Sequence, residues 1–193
     1  ASTGLARLSP EQAVAKGAKS LVIGTAPVGG VLSAAWIPTL VEAIEAGLDI
    51  VSGLHVPLAS VNELTVAASK HDRQLVDVRV PPKPIPAGDG KPREGMRLIT
   101  VGTDCCVGKK YTALAMHQAM SRSGMNCTFR ATGQTGIMIA GSGIPMDAVV
   151  ADFLSGAAEM LSPENDPGHW DVIEGQGCLF HPAYAAVTLG LLH

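Results

Sequence analysis

Residues 98–116 decide the fold, and they read LITVGTDCCVGKKYTALAM. An apolar segment leads into a loop bounded by Gly102 and Gly108, and a segment of good helix formers begins at Lys109. A strand, a glycine-bounded loop and a helix in this order point backbone N–H groups, a helix N-terminus and a lysine charge at one place. The pattern therefore predicts a phosphate-binding loop.

The loop differs from the usual spacing GxxxxGK[ST] at three positions. Gly102 comes one residue too early, Thr103 takes the place of the first glycine, and Lys110 replaces the Ser or Thr that ligates magnesium. The residues that we predict to bind the phosphates are Gly102, Thr103, Asp104, Val107, Gly108, Lys109, Lys110, Tyr111 and Thr112. The alternative interpretation is a glycine turn beside a surface lysine.

The first part of the chain, residues 1–80, alternates between short apolar runs and segments of helical period. The order of these runs is β-α-β-α-β, which predicts a parallel sheet of Rossmann type. Gly47 is placed to end the first helix. Ser60 and Glu63 have the spacing of a capping box at the start of the second helix. The opening strand is not evident, so we expect this domain to be incomplete.

A segment with five prolines and three glycines, residues 81–95, interrupts the alternation and is predicted to be a linker. Residues 96–193 then resume it, with a helix predicted over residues 146–161 and another from residue 182. The predicted fold class is α/β, with an N-terminal Rossmann-like parallel-sheet domain and a C-terminal P-loop NTPase-like parallel α/β domain. A crossover helix should be followed by a further strand, so we expect the second domain to be truncated at its C-terminus.

A second polar motif, DVIEGQGCLFHP, covers residues 171–182. It places Glu174 after an apolar strand, and strand ends in a parallel sheet meet at the edge that binds ligands. Glu174 is therefore a candidate catalytic residue facing the phosphate loop, with a solvated loop acid as the alternative. His181 is the histidine best placed for proton transfer. Its alternative role is a hydrogen bond to the backbone at a helix start.

Between these motifs lies a glycine-rich, almost uncharged stretch, FRATGQTGIMIAGSGIP, residues 129–145. It is predicted to be a loop whose glycines let the backbone approach a ligand. The candidate substrate-binding residues are Arg130, Thr132, Gln134, Thr135 and Gln176. Arg130, also a catalytic candidate, could clamp a carboxylate or phosphate through two parallel hydrogen bonds, or it could form a structural ion pair.

Composition narrows the function classes. The 193 residues are 47% hydrophobic and carry a net charge of −3, which favours a packed core and argues against nucleic-acid binding. No apolar run approaches the ~18 residues that span a bilayer, so we expect no membrane partner. Four cysteines form no CxxC pair, and no cluster has zinc spacing. We expect free thiols, a cytoplasmic protein and no metal ligands.

Two motifs resemble those of dethiobiotin synthetase. The stretch GTDCCVGKK is similar to the phosphate loop of that family, and IEGQG is similar to its glutamate-glycine motif, whose glutamate helps to bind magnesium. This resemblance implies a P-loop domain. It also implies an alternative function, an enzyme that activates a carboxylate with Mg-ATP.

A closer resemblance covers nearly the whole chain. The stretches GTAPVGG, GLDIVSGLH, VGTDCCVGKKYTAL, FRATGQTGIMIAG, DAVVADF and DVIEGQG are similar to the D-glutamate N-acetyltransferase family. The resemblance implies transfer of acetyl from acetyl-CoA, as co-substrate, to the amino group of an amino acid. Glu174 or His181 would accept a proton from the attacking amine. We also expect a homo-oligomer, and a non-catalytic nucleotide-binding module is a third, weaker possibility.

Overall fold

The computed structural model of the protein describes residues 4–182 and 184–193, apart from the side chain of Val28. Contacts between Cα atoms divide the chain into two compact units, Ala1–Val78 and Arg79–His193, which are described separately. Of the helices in the described ranges, none has both the length and the apolar character needed to cross a bilayer.

The first unit is a three-stranded parallel sheet with helices between its strands. Strand order is β1-β2-β3, with Leu21 opposite Ile50 and Ile50 opposite Leu75. Its regular elements are α1 (Pro10–Ala15), β1 (Ser20–Val22), α2 (Ile37–Glu45), β2 (Asp49–Ser52), α3 (Asn62–His71) and β3 (Leu75–Asp77). Short 3-10 turns occur at Val28–Gly30, Ala34–Trp36 and Leu58–Ser60.

Helix α2 forms as its apolar period predicts. Leu40 and Ile44, one turn apart, are buried against Ile50 of β2 and Leu64 of α3. The helix ends at Glu45, and Gly47 follows with φ +103°, a left-handed conformation that glycine adopts without the steric cost of a Cβ.

The predicted capping box at Ser60 is wrong. Helix α3 begins at Asn62 with Val61 as its N-cap and no side-chain cap, while the Ser60 hydroxyl donates to the Pro57 carbonyl within a 3-10 turn. A capping box does form at α1, where Ser9 and Gln12 exchange hydrogen bonds of 3.3 and 3.0 Å. Because a local turn satisfies the Ser60 side chain first, sequence spacing alone misplaced the cap.

The second unit contains a second parallel sheet, in the order β4-β6-β5. Ile99 lies opposite Ile173, and Arg130 lies opposite Ile173 on the other side, so the carboxyl ends of all three strands meet at one edge. Its regular elements are β4 (Met96–Ile99), α4 (Lys109–Arg122), β5 (Cys127–Arg130), α5 (Gln134–Ala140), α6 (Leu154–Leu161), β6 (Trp170–Ile173) and α7 (Ala185–Leu192).

Two predictions for this unit are corrected. The glycine-rich stretch 129–145 is not all loop, because it contains the seven-residue helix α5. The helix predicted over residues 146–161 begins only at Leu154, after 3-10 turns at Met146–Ala148 and Ala151–Phe153. The turns are separated by the β-branched pair Val149 and Val150, whose backbone is extended, a conformation that such residues favour.

The core of the second unit lies between α6 and the sheet, where Met146, Ala157 and Leu161 pack with Ile173. Part of the predicted linker is attached to the same helix. The backbone N–H groups of Asp89 and Gly90 donate to the Glu159 carboxylate, at 3.0 and 2.9 Å. Asp89 and Gly90 of the proline-rich segment are therefore held against α6.

Candidate active site

The phosphate loop connects the end of β4 to the start of α4. Two left-handed residues shape it, Cys106 with φ +57° and Gly108, the N-cap of α4, with φ +103°. Among the described residues, none accepts a hydrogen bond from the backbone N–H groups of residues 106–111. Such a series of free amides at a helix N-terminus is suited to an anion.

Lys109 lies across the loop. Its Nζ donates to the Asp104 carbonyl at 2.8 Å, which holds the charge over the loop. Its Cδ lies 3.4 Å from where a Cβ would stand at Gly102 and 3.3 Å from where one would stand at Gly175. A Cβ at Gly175 would also overlap the Thr100 carbonyl, and one at Gly102 would lie 2.7 Å from Val107 Cγ2, so both glycines are needed for close packing around the loop and the lysine stem. The two glycine motifs of the sequence are therefore parts of one site.

Thr100 joins the phosphate loop to β6, and the sequence analysis missed it. Its hydroxyl donates to the Lys109 carbonyl at 3.1 Å and accepts from the Gly175 N–H at 3.0 Å. The residue is 8% exposed. Its position, directly between the last residue of β4 and the loop, is the one signal that could have indicated this role.

Glu174 is buried at the end of the central strand β6, with 2% of its surface exposed. Its Oε2 accepts from the backbone N–H groups of Thr132 and Gly133, at 2.9 and 3.1 Å. Its Oε1 receives no hydrogen bond from any residue in the described part of the chain. Burial raises the pKa of the Glu174 carboxyl, while these two amides and the Lys110 charge act in the opposite direction.

Two glycines make room for the Glu174 region. A Cβ at Gly136 would overlap the Glu174 carboxylate and lie 2.8 Å from its Cδ. A Cβ at Gly133 would overlap the side-chain amide of Gln176.

Thr132 donates two hydrogen bonds to Glu174. Its backbone N–H donates to the Glu174 carboxylate, and its hydroxyl donates to the Glu174 backbone carbonyl at 2.6 Å. Thr132 thus positions Glu174 and has no donor left for a ligand.

Lys110 is partly buried on the first turn of α4. Its Nζ lies 4.6 Å from the centroid of the Tyr111 ring, a cation–π distance. Its charge lowers the pKa of Glu174, so the two side chains interact electrostatically. Thr112 does not replace the missing Ser or Thr, because its hydroxyl donates to the Gly108 carbonyl at 3.2 Å.

Arg130, at the end of β5, is paired with the buried Asp171. Its Nε lies 2.7 Å from Asp171 Oδ1, and Ser162 donates to the other carboxylate oxygen at 2.6 Å. His169 Nε2 lies 3.3 Å from Asp171 Oδ1. The structural ion pair considered for Arg130 is therefore present, and a role in binding substrate stays a prediction.

The remaining candidates lie on segments around this edge. Gln134 and Thr135 form the first turn of α5, directly after Gly133. The N–H of Leu179 donates to the Gly102 carbonyl at 2.9 Å, which brings the segment before His181 beside the loop. The His181 side chain is exposed, and its carbonyl accepts a hydrogen bond of 2.7 Å from the Cys178 thiol.

All four cysteines are free, as predicted. Burial raises the pKa of the Cys105 thiol, and nearby Cys178 adds to this rise. A raised pKa disfavours the thiolate, the reactive form, although Cys105 lies in the phosphate loop. Within the described ranges, no group of three or more His, Cys, Asp or Glu side chains is arranged to hold a metal ion.

Family models match both parts of the chain. A Rossmann-like domain of unknown function, the N-terminal domain of the DUF1611 family, matches residues 3–81. The P-loop domain of the same family matches residues 86–193. With the two parallel sheets, these matches confirm the predicted fold class.

Two curated relatives are similar over the whole chain. D-glutamate N-acetyltransferases from a Pseudoalteromonas species and from Tritonibacter scottomollicae are each 53% identical, over 192 and 193 residues, which is 100% of this chain. The chain spans 58% of the length of each of these relatives. The resemblance predicted from the motifs is confirmed.

A crystal structure is also similar. It is that of a DUF1611 family protein from Anabaena variabilis ATCC 29413, which is 38% identical with a TM-score of 0.85. The match covers 95% of this chain and 54% of that one. The chain therefore belongs to the DUF1611 family of proteins with a Rossmann-like domain and a P-loop domain.

Proposed function

We propose that the chain forms part of an N-acetyltransferase that moves acetyl from acetyl-CoA to the amino group of D-glutamate. The names of the two curated relatives support the reaction and the acceptor. The choice of acetyl-CoA as donor rests on the presence of Lys110 at the position where a nucleotide-hydrolysing loop carries its magnesium ligand. An ammonium has only donors and cannot ligate a cation, and this one lies close enough to Glu174 to lower its pKa.

The phosphate loop fits the phosphates of CoA. The N–H groups of residues 106–111, which have no acceptor among the described residues, and the charge of Lys109 supply what a pyrophosphate needs. No phosphoryl group has to be transferred. Acetyl-CoA, when bound, brings an acyl group already activated as a thioester. Lys110 then acts as a second fixed positive charge where a nucleotide-hydrolysing loop would place Mg²⁺.

Glu174 is the residue best suited to accept the proton that the amine releases on attack. Its raised pKa makes the carboxylate a stronger base than an exposed glutamate, and a general base works best when its pKa approaches the working pH. Oε2 is held by two amides, which fixes the group, while Oε1 is left to receive the proton. The exposed His181 is the second candidate for this role.

A second candidate function is an ATP-dependent enzyme of dethiobiotin synthetase type. The observation that favours it is the position of Glu174, which follows the strand beside the phosphate loop as the magnesium-binding glutamate of that family does. Its hydrogen bonds to Thr132 and Gly133 leave Oε1 available to a cation as well as to a proton.

Ligand binding separates the two functions. Calorimetry and thermal unfolding of the full-length protein should show binding of CoA and acetyl-CoA without added metal. Ligand at a hundred times its dissociation constant should add ~2.7 kcal/mol to the free energy of unfolding. Magnesium-dependent binding of ATP with no binding of CoA would favour the ATP-dependent function over acetyl transfer. Acetyl transfer to D-glutamate is then measured directly, with L-glutamate as the comparison.

A further inference from the structure

Thr100 holds the chain on both sides of Glu174. Its backbone N–H donates at 3.2 Å to the carbonyl of Ile173, the residue before Glu174. Its hydroxyl accepts at 3.0 Å from the N–H of Gly175, the residue after Glu174. Thr100 is 8% exposed and Gly175 is buried, so water does not compete for these contacts. The backbone at Glu174 is therefore fixed on the β4 side by a single residue, Thr100.

The same hydroxyl also reaches the phosphate loop. It donates to the Lys109 carbonyl at 3.1 Å. That carbonyl belongs to the peptide group that carries the N–H of Lys110, and among the described residues none accepts from this N–H. A peptide group whose carbonyl accepts a hydrogen bond is polarised, which makes its N–H a stronger donor. Thr100 thus strengthens one of the donors that the loop offers to an anion.

These contacts form part of a longer hydrogen-bond chain in which every donor points the same way. The Thr132 hydroxyl donates to the Glu174 carbonyl at 2.6 Å, and the N–H of that same peptide group, which belongs to Gly175, donates to Thr100. Thr100 then donates to the peptide group that ends at the Lys110 N–H. In such a chain each bond strengthens the next, by roughly 10–30%. The chain joins the peptide group of Glu174 to the phosphate loop.

Close packing prevents these groups from moving independently. A Cβ at Gly175 would overlap the Thr100 carbonyl and would lie 3.3 Å from Lys109 Cδ, so the end of β6 lies directly against both residues. The chain also requires a hydroxyl at residue 100, because only a group that donates and accepts at once can join an N–H to a carbonyl. Valine has the same shape as threonine and can do neither.

We propose that Thr100 is a positioning residue whose hydroxyl couples the two halves of the site. It holds Glu174 at the end of β6, and it orients and polarises the Lys110 N–H for a bound phosphate. A phosphate in the loop strengthens the whole chain, so phosphate binding and the position of Glu174 are linked. This inference rests on the proposed function, in which the phosphates of CoA occupy the loop and Glu174 accepts the proton.

The test uses two substitutions in the full-length protein, Thr100→Val, which removes the hydroxyl, and Thr100→Ser, which keeps it. Thr100→Val should weaken binding of CoA and of pyrophosphate about 5- to 30-fold in calorimetry. It should also lower kcat for acetyl transfer to D-glutamate about 10- to 100-fold, because Glu174 is no longer held in place. Thr100→Ser should retain most of both. Thr128→Val is the same substitution in β5, at a hydroxyl that donates to nothing in the described part of the chain, and it should change neither.

A purely structural role for Thr100 predicts a different result. Thr100→Val would then unfold more easily, while the folded variant would bind CoA and turn over as the wild-type protein does. That outcome would overturn the inference. Equal losses in Thr100→Val and Thr100→Ser would also overturn it, because the hydroxyl would then not be the cause.

A measurement on the wild-type protein keeps the test valid if Thr100→Val does not fold. An amide proton moves downfield in the NMR spectrum when its hydrogen bond strengthens. Pyrophosphate should move the amide proton of Lys110 downfield and, through the chain, that of Gly175 as well. A shift at Lys110 without one at Gly175 would refute the coupling.

Failure of the proposed function would be recognised separately. If the wild-type protein binds pyrophosphate but does not bind CoA or transfer acetyl, that function is wrong, and pyrophosphate binding by the Thr100 variants still decides the inference. If neither CoA nor pyrophosphate binds, the loop holds no phosphate, and both the function and the inference are wrong.

Discussion

Gly136→Ala should displace the buried Glu174 carboxylate. The new Cβ would overlap Glu174 Oε2 and lie 2.8 Å from Glu174 Cδ, whereas ordinary contacts begin at 3.4 Å, so Cδ must retreat by at least about 0.6 Å (3.4 − 2.8) and Oε2 by more. A shift of this size lengthens the hydrogen bonds from Thr132 and Gly133, now 2.9 and 3.1 Å, beyond the usual range. The substitution therefore acts on Glu174 from a neighbouring helix.

The change in the free energy of unfolding caused by Gly136→Ala is the sum of two opposing effects. Each hydrogen bond to a charged group contributes about 1.5–3 kcal/mol, and alanine in place of glycine stabilises a helix by about 1 kcal/mol. Loss of one bond should lower the free energy of unfolding by about 0.5–2 kcal/mol and loss of both by about 2–5 kcal/mol, measured by chemical denaturation. Gly168→Ala is the control, because a Cβ at Gly168 meets nothing within 4 Å, and it should stay within about 0.5 kcal/mol.

A double-mutant cycle decides whether Glu174 is the cause. In the Glu174→Ala background the carboxylate is gone, so Gly136→Ala should cost nothing and show only the helix gain of about 1 kcal/mol. The same loss of unfolding free energy in both backgrounds would refute the reasoning. It would mean that the new methyl group disturbs α5 by another route.

Three further predictions concern charges at the site. Lys109→Ala should weaken CoA binding by ~1.5–3 kcal/mol in calorimetry with little change in stability, and unchanged affinity would contradict its role. Lys110→Thr should make nucleotide binding depend on Mg²⁺. If Mg²⁺ changes the nucleotide affinity of this variant no more than that of the wild type, then Lys110 does not take the place of the metal. Because burial raises the pKa of Glu174 above 4.5, wild-type stability should fall as pH rises from 4.5 through the folded pKa. Burial also raises the pKa of Asp77, so Glu174→Gln should show a smaller fall rather than none, and it should lose ~10²- to 10⁴-fold in kcat. Equal slopes in the two proteins would show that Glu174 does not titrate there.

Local patterns in the sequence were sufficient for the fold class and for most element types, with helix α5 in the glycine-rich stretch as an exception. The loop at Gly108, the stop at Gly47 and the apolar period of α2 act over a few residues, so their outcome depends little on distant contacts. The predictions that failed lie where local signals compete. Ser60 had a nearer acceptor than the helix N-terminus, and Val149 and Val150 favoured an extended backbone inside a segment of helical period.

The sequence also determined which edge of the sheet carries the site, because both glycine motifs follow predicted strands. Parallel strands present their carboxyl ends together, so Glu174 could be assigned to the edge that holds the phosphate loop before its contacts were known. The positive charge pair at Lys109 and Lys110 was also evident from the sequence. It needed no tertiary information, since both residues belong to one helix turn.

Only the tertiary structure decided which polar groups are used and which are left available. Glu174 and Thr132, which are hydrogen-bonded, are 42 residues apart in the sequence, and Arg130 and Asp171 are 41 apart. Sequence spacing carries no information about such pairs. Thr132 proved to hold Glu174, and Asp171 proved to hold Arg130 through its Nε. The physical reason is that burial and hydrogen-bond partners are set where strands and loops distant along the chain come together.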